Sequence, residues 1–196
     1  MNPRTQPALS LFSSDDIERH IHELGTLLHD CVHDGASIGF VLPYVAEDGE
    51  AFFRQNVLPA VRSGKRLLVV SCKDGRITGS GQLDHDTPPN QPHRAEIRKL
   101  MVHPDFRRQG IARALMAELE RLAGELGRNL LTLDTRTGDM AQPLYASLGY
   151  ATAGIIPGYC LDPHGSNRLD STTLMYKMLE AVKGAPRSEP RLELPQ

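Results

Sequence analysis

The order of predicted helices and strands indicates an α+β protein with a mixed, mostly antiparallel central sheet of about seven strands, flanked by helices. Three extended segments follow one another directly between residues 66 and 102, as in an antiparallel meander, and later strands alternate with helices. Residues 129–135, NLLTLDT, are nearly all apolar, which is typical of a central strand buried on both faces. A chain of 196 residues suits one substantial core. We therefore expect a single domain over residues 1–180.

The N-terminal part is expected to be mainly helical. In chain order we expect a strand over residues 8–12, a helix from Ser13 to Gly35, a loop over residues 35–44 and a helix over residues 50–61. Ser13 with Asp16 three residues later is a capping box, and Gly35 is the residue type that ends helices.

The remaining strands carry most of the sheet. In order we expect strands over residues 66–72, 76–84 and 94–102, a helix from Ile111 to Leu126, a strand over residues 129–135, a helix over residues 140–148, and strands over residues 151–156 and 169–178. The pair Asp74-Gly75 favours a type I′ hairpin turn. Residues 181–196 contain few core residues and are expected to be a flexible tail.

Composition excludes some classes of function. The formal charge of −2 and pI near 6.4 leave no excess of cations to neutralise nucleic acid phosphates. No apolar run approaches the length that crosses a membrane, and the N-terminus has no long hydrophobic stretch. The cysteines, Cys31, Cys72 and Cys160, are odd in number and far apart, which favours reduced thiols. We expect a cytoplasmic protein without nucleic acid or membrane partners.

The segment EIRKLMVHPDFRRQGIARALM, residues 96–116, passes from a strand through a turn into an amphipathic helix. Pro104 ends the strand, and Gly110 and Ala112 keep bulky side chains away from one side of the first helical turn. Free N–H groups and the helix dipole favour an anion there, and Arg107 and Arg108 add positive charge. The two common phosphate motifs, G-x-x-x-x-G-K-[ST] and G-x-G-x-x-G, are absent. An ordinary helix start with surface arginines is the alternative.

Motifs in both halves resemble the GNAT N-acetyltransferases. R-x-x-G-x-A at residues 107–112, preceded by KLMV, is similar to that family's coenzyme A pyrophosphate loop. LLTLDT followed by Y-x-x-x-G-[FY], here Tyr145, Gly149 and Tyr150, resembles its second half. More narrowly, GASIGF, RAEIRKLMV, LLTLDT and PGYC look like the tabtoxin-resistance acetyltransferases, which acetylate a β-lactam amino acid toxin. The resemblance implies the GNAT fold.

The resemblance also implies that acetyl-CoA is the cofactor. The residues that it assigns to cofactor binding are Leu100, Met101, Val102, Arg107, Arg108, Gln109, Gly110, Ile111, Ala112 and Tyr145. A β-bulge is expected where strand 94–102 separates from strand 129–135, and it would free the N–H of Val102 to stabilise an oxyanion. The pantetheine arm would pair with residues 100–102 like an additional strand.

Amide formation from a thioester needs a neutral amine. An alkyl amine has a pKa of about 10.4, so roughly one molecule in a thousand is neutral at pH 7, and a base in the site removes a penalty of at most about 4–5 kcal/mol. The resemblance implies Glu96 and Asp134 as base and amine anchor, with Glu96 slightly favoured as the base. The alternatives are that Glu96 faces solvent and that Asp134 only caps a turn.

Tyr145 lies one turn into the helix after strand 129–135. A phenol can donate to a departing thiolate, and the related enzymes place their general acid here. The alternative is an aromatic core residue packed with Leu144 and Leu148.

Substrate contacts are expected from His33, Gly35 and Ser37, together with Glu96 and Asp134, because GASIGF lies where the related enzymes close over substrate. PGYC, residues 157–160, is a candidate second wall, with Cys160 as a small buried hydrophobe rather than a nucleophile. His29 and His33 are spaced i, i+4, but H-E-x-x-H is missing, so we expect no metal site.

The expected function is acetyl-CoA-dependent N-acetylation of a primary amine on a small molecule, such as an amino acid-like toxin or antibiotic. Two alternatives remain: a non-catalytic acyl-CoA-binding regulator, and a protein or peptide N-acetyltransferase. Related enzymes often pair through their C-terminal strands, so a homodimer is one expectation. An open groove would favour a peptide substrate, whereas a pocket closed by residues 35–40 and 157–160 would favour the toxin.

Overall fold

A computed structural model describes residues 7–180, which contain a seven-stranded mixed sheet flanked by helices, confirming the predicted fold class. The strands are β1 Ala8–Phe12, β2 Arg66–Lys73, β3 Arg76–Asp84, β4 Arg94–Val102, β5 Leu130–Arg136, β6 Ala151–Leu161 and β7 Leu169–Met178. Their spatial order is β1-β2-β3-β4-β5-β7-β6. Neighbouring strands are antiparallel except for β4 and β5, which are parallel.

Helices cover both faces of the sheet. They are α1 Ser14–Arg19, α2 Ile21–His33, α3 Ala46–Phe52, a π-helical turn Phe53–Val57, α4 Leu58–Arg62, a 3-10 turn Pro104–Phe106, α5 Ile111–Glu125 and α6 Ala141–Ser147. One apolar core packs α1 to α4 against the sheet, and a second packs α5 against the opposite face. No helix among residues 7–180 is long and apolar enough to cross a bilayer.

The N-terminal helices differ from the expected pattern. The Ser13–Asp16 capping box is present, but the helix that it begins breaks at His20, where ψ is 22°. The helix expected to begin at residue 50 is α3, and it begins at Ala46. The Asp48 carboxylate accepts the Val45 N–H at 3.0 Å and so caps this earlier start. Pro59 lacks the N–H that a regular helix requires, and the π-helical turn before it accommodates this break.

At the C-terminal end, β6 continues to Leu161 instead of ending at residue 156. Its pairing with β7 shifts register between Ile156 and Cys160, so the Pro157–Gly158 segment bulges within one long strand. The predicted tail over residues 181–196 lies outside the described residues.

The sheet opens between β4 and β5. Their parallel ladder contains only three pairs and ends where Glu96 lies opposite Thr132. Further along β4, pairing with β3 skips from Arg98, opposite Gln82, to Met101, opposite Ser80. Two β4 residues therefore face the single Gly81, which is a β-bulge, and Lys99 within it has a positive φ of 49°.

Candidate active site

A cleft of about 1210 Å³ lies where β4 and β5 separate. Its walls come from five stretches of chain: residues 34–41, the second half of β4, the turn into α5, the end of β5 with the start of α6, and residues 159–161 of β6. The cleft therefore joins the predicted phosphate loop to the predicted acceptor residues.

The turn into α5 presents unpaired backbone N–H groups. Arg108 and Gly110 have positive φ angles of 62° and 88°, and the first helical bond runs from Ala114 N–H to the Gly110 carbonyl. Within residues 7–180, no acceptor lies in hydrogen-bonding range of the N–H groups of residues 108–113. A Cβ atom at Gly110 would meet nothing within 4 Å. Unpaired amides at an open helix N-terminus fit a diphosphate.

Both arginines of this turn line the cleft, and they differ in their partners. The Arg107 guanidinium forms an ion pair with Asp34, and its Nε donates to the Val102 carbonyl at 3.4 Å. Arg107 therefore ties the end of α2 to β4 instead of extending freely toward phosphate. Arg108 lines the cleft as expected. Gln109 does not line it, and its Oε1 accepts from Lys73 at 3.3 Å.

Arg113, which sequence reasoning missed, also lines the cleft. It lies in the first turn of α5, and its position directly after R-x-x-G-x-A, three residues past Gly110, could have indicated it.

The backbone of β4 turns polar groups toward the cleft. The His103 N–H donates to the Thr78 carbonyl of β3 at 2.9 Å. Because successive residues of an antiparallel strand point their N–H groups to opposite sides, the N–H of Val102 faces away from β3, toward the gap beside β5. The Val102 carbonyl on that side accepts from Arg107. Leu100, Met101 and Val102 all line the cleft.

Glu96 and Asp134 lie on one face of the sheet and both line the cleft. Glu96 is opposite Thr132, and Asp134 is two residues further along β5, which restores the same side-chain direction. The Glu96 side chain is 38% exposed and lies 3.6 Å from Arg98 and 3.9 Å from Arg94.

Asp134 has a different environment. It lies within β5 rather than capping a turn, and its carboxylate accepts from the Thr172 hydroxyl at 3.0 Å. The two carboxylates therefore share a cleft wall but have different partners, arginines for Glu96 and the Thr172 hydroxyl for Asp134.

Tyr145 lies in the core and also at the cleft. It belongs to the core that includes Leu148, and its ring packs edge-on against Tyr150 at a centroid distance of 6.0 Å. It also lines the cleft, and its hydroxyl has no hydrogen-bond partner among residues 7–180. Burial, with smaller contributions from Asp139 and Asp134, raises the pKa of Tyr145, so the phenol stays protonated at neutral pH.

Residues 35–41 form one wall at the acceptor end of the cleft. Ser37 Oγ lies 3.9 Å from Cys160 Sγ, and the Leu42 N–H donates to the Pro163 carbonyl at 2.9 Å. Gly35 lines the cleft, and its carbonyl accepts from Arg136 at 3.4 Å. These contacts hold the loop against the β6–β7 connection.

His33 is not among the residues that line the cleft, so the structure does not support the predicted substrate contact. Its Nε2 lies 2.7 Å from the Tyr44 carbonyl, and its ring lies 4.1 Å from that of His29. His33, at the end of α2, therefore faces its own helix and the loop that contains Tyr44 rather than the cleft. Within the described part of the chain, no group of three or more His, Cys, Asp or Glu side chains could hold a metal ion.

Lys99 is a cleft residue that sequence reasoning missed. Its ammonium donates to the Ile38 carbonyl at 2.5 Å and lies 5.2 Å from the centre of the Phe40 ring. Burial lowers the pKa of Lys99. Regular strand alternation would place Lys99 and Arg98 on opposite faces, whereas the bulge lets both line the cleft. No pattern in the sequence indicates that bulge residue.

Comparisons with known proteins agree with this geometry. The model of the acetyltransferase (GNAT) family matches residues 40–150. Human N-acetyltransferase 8 is 36% identical over 75 residues, which are 38% of this chain and 33% of that protein, so the chain spans about a third of that relative's length.

Two solved structures show the same fold. The ribosomal-protein-alanine N-acetyltransferase from Brucella melitensis has a TM-score of 0.71 at 21% identity, over 88% of this chain and 99% of that one. The Salmonella typhimurium protein yncA, solved with its cofactor acetyl-CoA, has a TM-score of 0.71 at 18% identity, over 94% of this chain and 100% of that one.

Proposed function

We propose that this chain, which belongs to the GNAT acetyltransferase family, transfers an acetyl group from acetyl-CoA to the primary amine of a small molecule such as an amino acid-like toxin or antibiotic. The observation that carries this proposal is the wall at the acceptor end of the cleft, where Ser37 contacts Cys160 and Leu42 bonds to Pro163. A loop held in this way limits the room for a folded protein or long peptide. The tabtoxin-resistance enzymes remain the narrower resemblance on which the toxin suggestion rests.

The cofactor residues fall into two groups by their chemistry. The unpaired N–H groups of residues 108–113 would hold the diphosphate, with charge from Arg108 and Arg113. The edge of β4 at Leu100–Val102 would pair with the pantetheine arm, because β5 has separated from it there. Bound acetyl-CoA supplies an activated acetyl thioester.

Glu96 and Asp134 would hold the acceptor amine and remove its proton. Two carboxylates attract an ammonium group, and one of them must accept a proton before the nitrogen lone pair can attack. We propose Glu96 as the base and Asp134, held by the Thr172 hydroxyl, as the anchor.

Two donors would act on the acetyl group. The Val102 N–H would donate to the acetyl oxygen as negative charge develops there. Tyr145 would donate a hydrogen bond to the leaving sulfur. Because burial raises the pKa of Tyr145 far above that of a thiol near 8.5, stabilisation by this hydrogen bond is favoured over complete proton transfer.

We also propose one catalytic domain over residues 1–180, in the cytoplasm, with a homodimer formed through the C-terminal strands. Cys31, Cys72 and Cys160 are free thiols, which suits a reducing compartment. Apolar side chains are exposed on β6 and β7, including Ile155, Tyr159 and Met178, which supports a partner on that face.

A thiol-release assay with acetyl-CoA tests the proposed function. The panel contains amino acids, polyamines, aminoglycosides and peptides with free N-termini. We expect thiol release with a small amine and much weaker thiol release with peptides. Preference for peptides would overturn the small-molecule acceptor, and tight cofactor binding without release across the whole panel would indicate a non-catalytic regulator.

A further inference from the structure

A second cavity of about 290 Å³ opens beside the acceptor end of the cleft. Gly39, Phe40, Arg98 and Lys99 line both spaces, so the two are neighbours with a common wall. We call the smaller space the basic cavity, because Arg66, Arg98 and Lys99 line it and no acidic side chain of the described residues does.

The three cations are not equally neutralised. Arg66 donates to Asp84 through Nη2 at 2.5 Å, and Arg98 contacts the same Asp84 oxygen at 3.2 Å. Arg98 also lies 3.6 Å from Glu96. Lys99 has no carboxylate within 4 Å among residues 7–180, and its one hydrogen-bond acceptor is a backbone carbonyl. Lys99 thus places a positive charge, without a carboxylate in direct contact, at the wall between cavity and cleft.

A buried donor also lies at this cavity without a partner. Gln82 is fully buried, its Oε1 accepts from Arg66 at 3.3 Å, and its Nε2 has no hydrogen-bond partner among residues 7–180. Buried polar groups in native proteins are nearly always paired, so an unpaired donor that lines a cavity indicates an acceptor from outside the chain.

The backbone brings Lys99 to this position at an energetic cost. Its positive φ is disfavoured for a side chain with a Cβ, and burial lowers its pKa. Lys99 also lies 5.2 Å from the Phe40 ring centre and 5.9 Å from that of Phe52, which replace part of its hydration. An anion beside it would offset the cost of this buried charge.

We propose that the basic cavity is an anion subsite that binds a carboxylate of the acceptor, so that the acceptor is an amino acid whose amine lies at Glu96 and Asp134 while its carboxylate reaches Lys99. This inference rests on the proposed small-molecule function and identifies the substrate class. Opposite charges at the two ends of one pocket orient a zwitterion and disfavour a simple polyamine.

Matched acids and amides test the subsite. L-methionine, L-phenylalanine and L-leucine are each compared with the corresponding α-carboxamide, which keeps the amine and removes the carboxylate charge. Binding is measured by calorimetry in the presence of coenzyme A, which cannot donate acetyl, and turnover is measured separately by thiol release. We expect at least one acid to bind about tenfold or more tightly than its amide, as a charge-assisted hydrogen bond allows.

Two variants with a matched control test whether the basic cavity causes the preference for the acid over the amide. Lys99→Met and Asn56→Asp, which adds a negative charge at an exposed position of the cavity wall, should each reduce the acid preference to about threefold or less. Lys99→Arg should retain it. Asn90→Asp adds the same charge at an exposed residue that lines neither space and should leave it unchanged.

The outcomes separate the two proposals. If no acid in the panel binds more tightly than its amide to the wild-type protein, the subsite is overturned, whatever the turnover. If small amines without a carboxylate are then acetylated, the proposed function stands alone. If acids bind with the expected dependence on Lys99 but no amine is acetylated, the subsite stands and the proposed function fails.

Discussion

Glu96 lies opposite Thr132 at the last pair of the parallel β4–β5 ladder. This position sets the direction of the Glu96 carboxylate, and the gap between the two strands begins directly after it. Side chains at Glu96 and Asp134 point to the same face because Asp134 is two residues beyond Thr132. Where pairing stops, the edge of β4 becomes available to another chain-like group. The same three-residue ladder thus positions the acceptor carboxylates and opens the slot for the cofactor.

Replacing the carboxylates tests their roles separately. Glu96→Gln should lower kcat/KM at pH 7 by about 10²-fold to 10⁴-fold, because it removes the proposed base without changing size. Asp134→Asn should act mainly on KM for the amine. The loss in Glu96→Gln should shrink as pH approaches about 10, where roughly a quarter of an alkyl amine is already neutral in solution.

Steady-state kinetics over this pH range measure both effects. Glu47→Gln is the matched control, because Glu47 is exposed in the first turn of α3 and does not line the cleft. If Glu96→Gln kept the wild-type rate at pH 7 while Asp134→Asn lost it, the two roles would have to be exchanged.

Gly110→Ala should weaken acetyl-CoA binding. Gly110 has a φ of 88°, and an added Cβ would project into the open space where the proposed diphosphate lies. A left-handed alanine costs about 1–2 kcal/mol, and displacement of the amides adds to this, so we expect a rise in Kd of about tenfold or more by calorimetry.

Gly127→Ala separates the two causes of this loss. Gly127 follows the other end of α5 with a φ of 69°, and a Cβ there also meets nothing within 4 Å. The Gly127→Ala variant should lose about as much stability as Gly110→Ala and keep the wild-type affinity for acetyl-CoA. Equal affinity losses in both variants would mean that backbone strain, rather than a phosphate site, explains the result.

Helices α2 and α3 approach each other at Gly25 and Gly49, and a stability prediction follows. A Cβ at Gly25 would lie 2.9 Å from the backbone nitrogen of Glu50, closer than packed atoms approach. Gly25→Ala should lower the free energy of unfolding by about 1–3 kcal/mol, despite the better helix propensity of alanine. Chemical denaturation measures this.

The control for that prediction is Gly154→Ala. Gly154 lies in β6 with a negative or extended φ, and a Cβ there would meet nothing within 4 Å. It should leave the free energy of unfolding within about 0.5 kcal/mol of wild type. If Gly25→Ala were as stable as Gly154→Ala, the two helices would have to move apart readily.

Much of the sheet was predictable because its strands are bounded by turn residues. The bounds of β3, β4 and β7 agree with the predicted ranges, and the positive φ angles of Asp74 and Gly75 fit the predicted hairpin. Local alternation and turn chemistry act over a few residues, so one sequence displays them. The Gly25–Gly49 approach depends on residues from two helices and has no local signal.

The candidate site was predictable where a motif defines backbone geometry. It was less predictable where a side chain pairs with a residue that is distant in sequence. Gly110 has the conformation that a phosphate turn needs, whereas Arg107 pairs with Asp34, which is distant in sequence. Lys99 was missed because a bulge changed the direction of its side chain. One extra residue in a strand moves every later side chain to the face opposite the one that regular alternation predicts.

Tyr145→Phe should lower kcat with little change in either KM. The phenol O–H is the only group removed, and it has no partner among residues 7–180, so the fold should be retained. We expect a loss of about 10²-fold in kcat, the lower end of what a positioned acid contributes. Tyr150→Phe is the control, since Tyr150 packs edge-on against Tyr145 but does not line the cleft.

The pH dependence supplies a further check on this tyrosine. Because burial raises the pKa of Tyr145, its neutral form persists as pH rises past the ordinary tyrosine value of about 10. The wild-type kcat should therefore show no alkaline decline from Tyr145 between pH 7 and about 10, and the ratio of wild-type to Tyr145→Phe rates should stay constant over that range. A ratio that falls toward one below pH 9 would mean that the hydroxyl ionises there, and hydrogen-bond donation by Tyr145 would have to be abandoned.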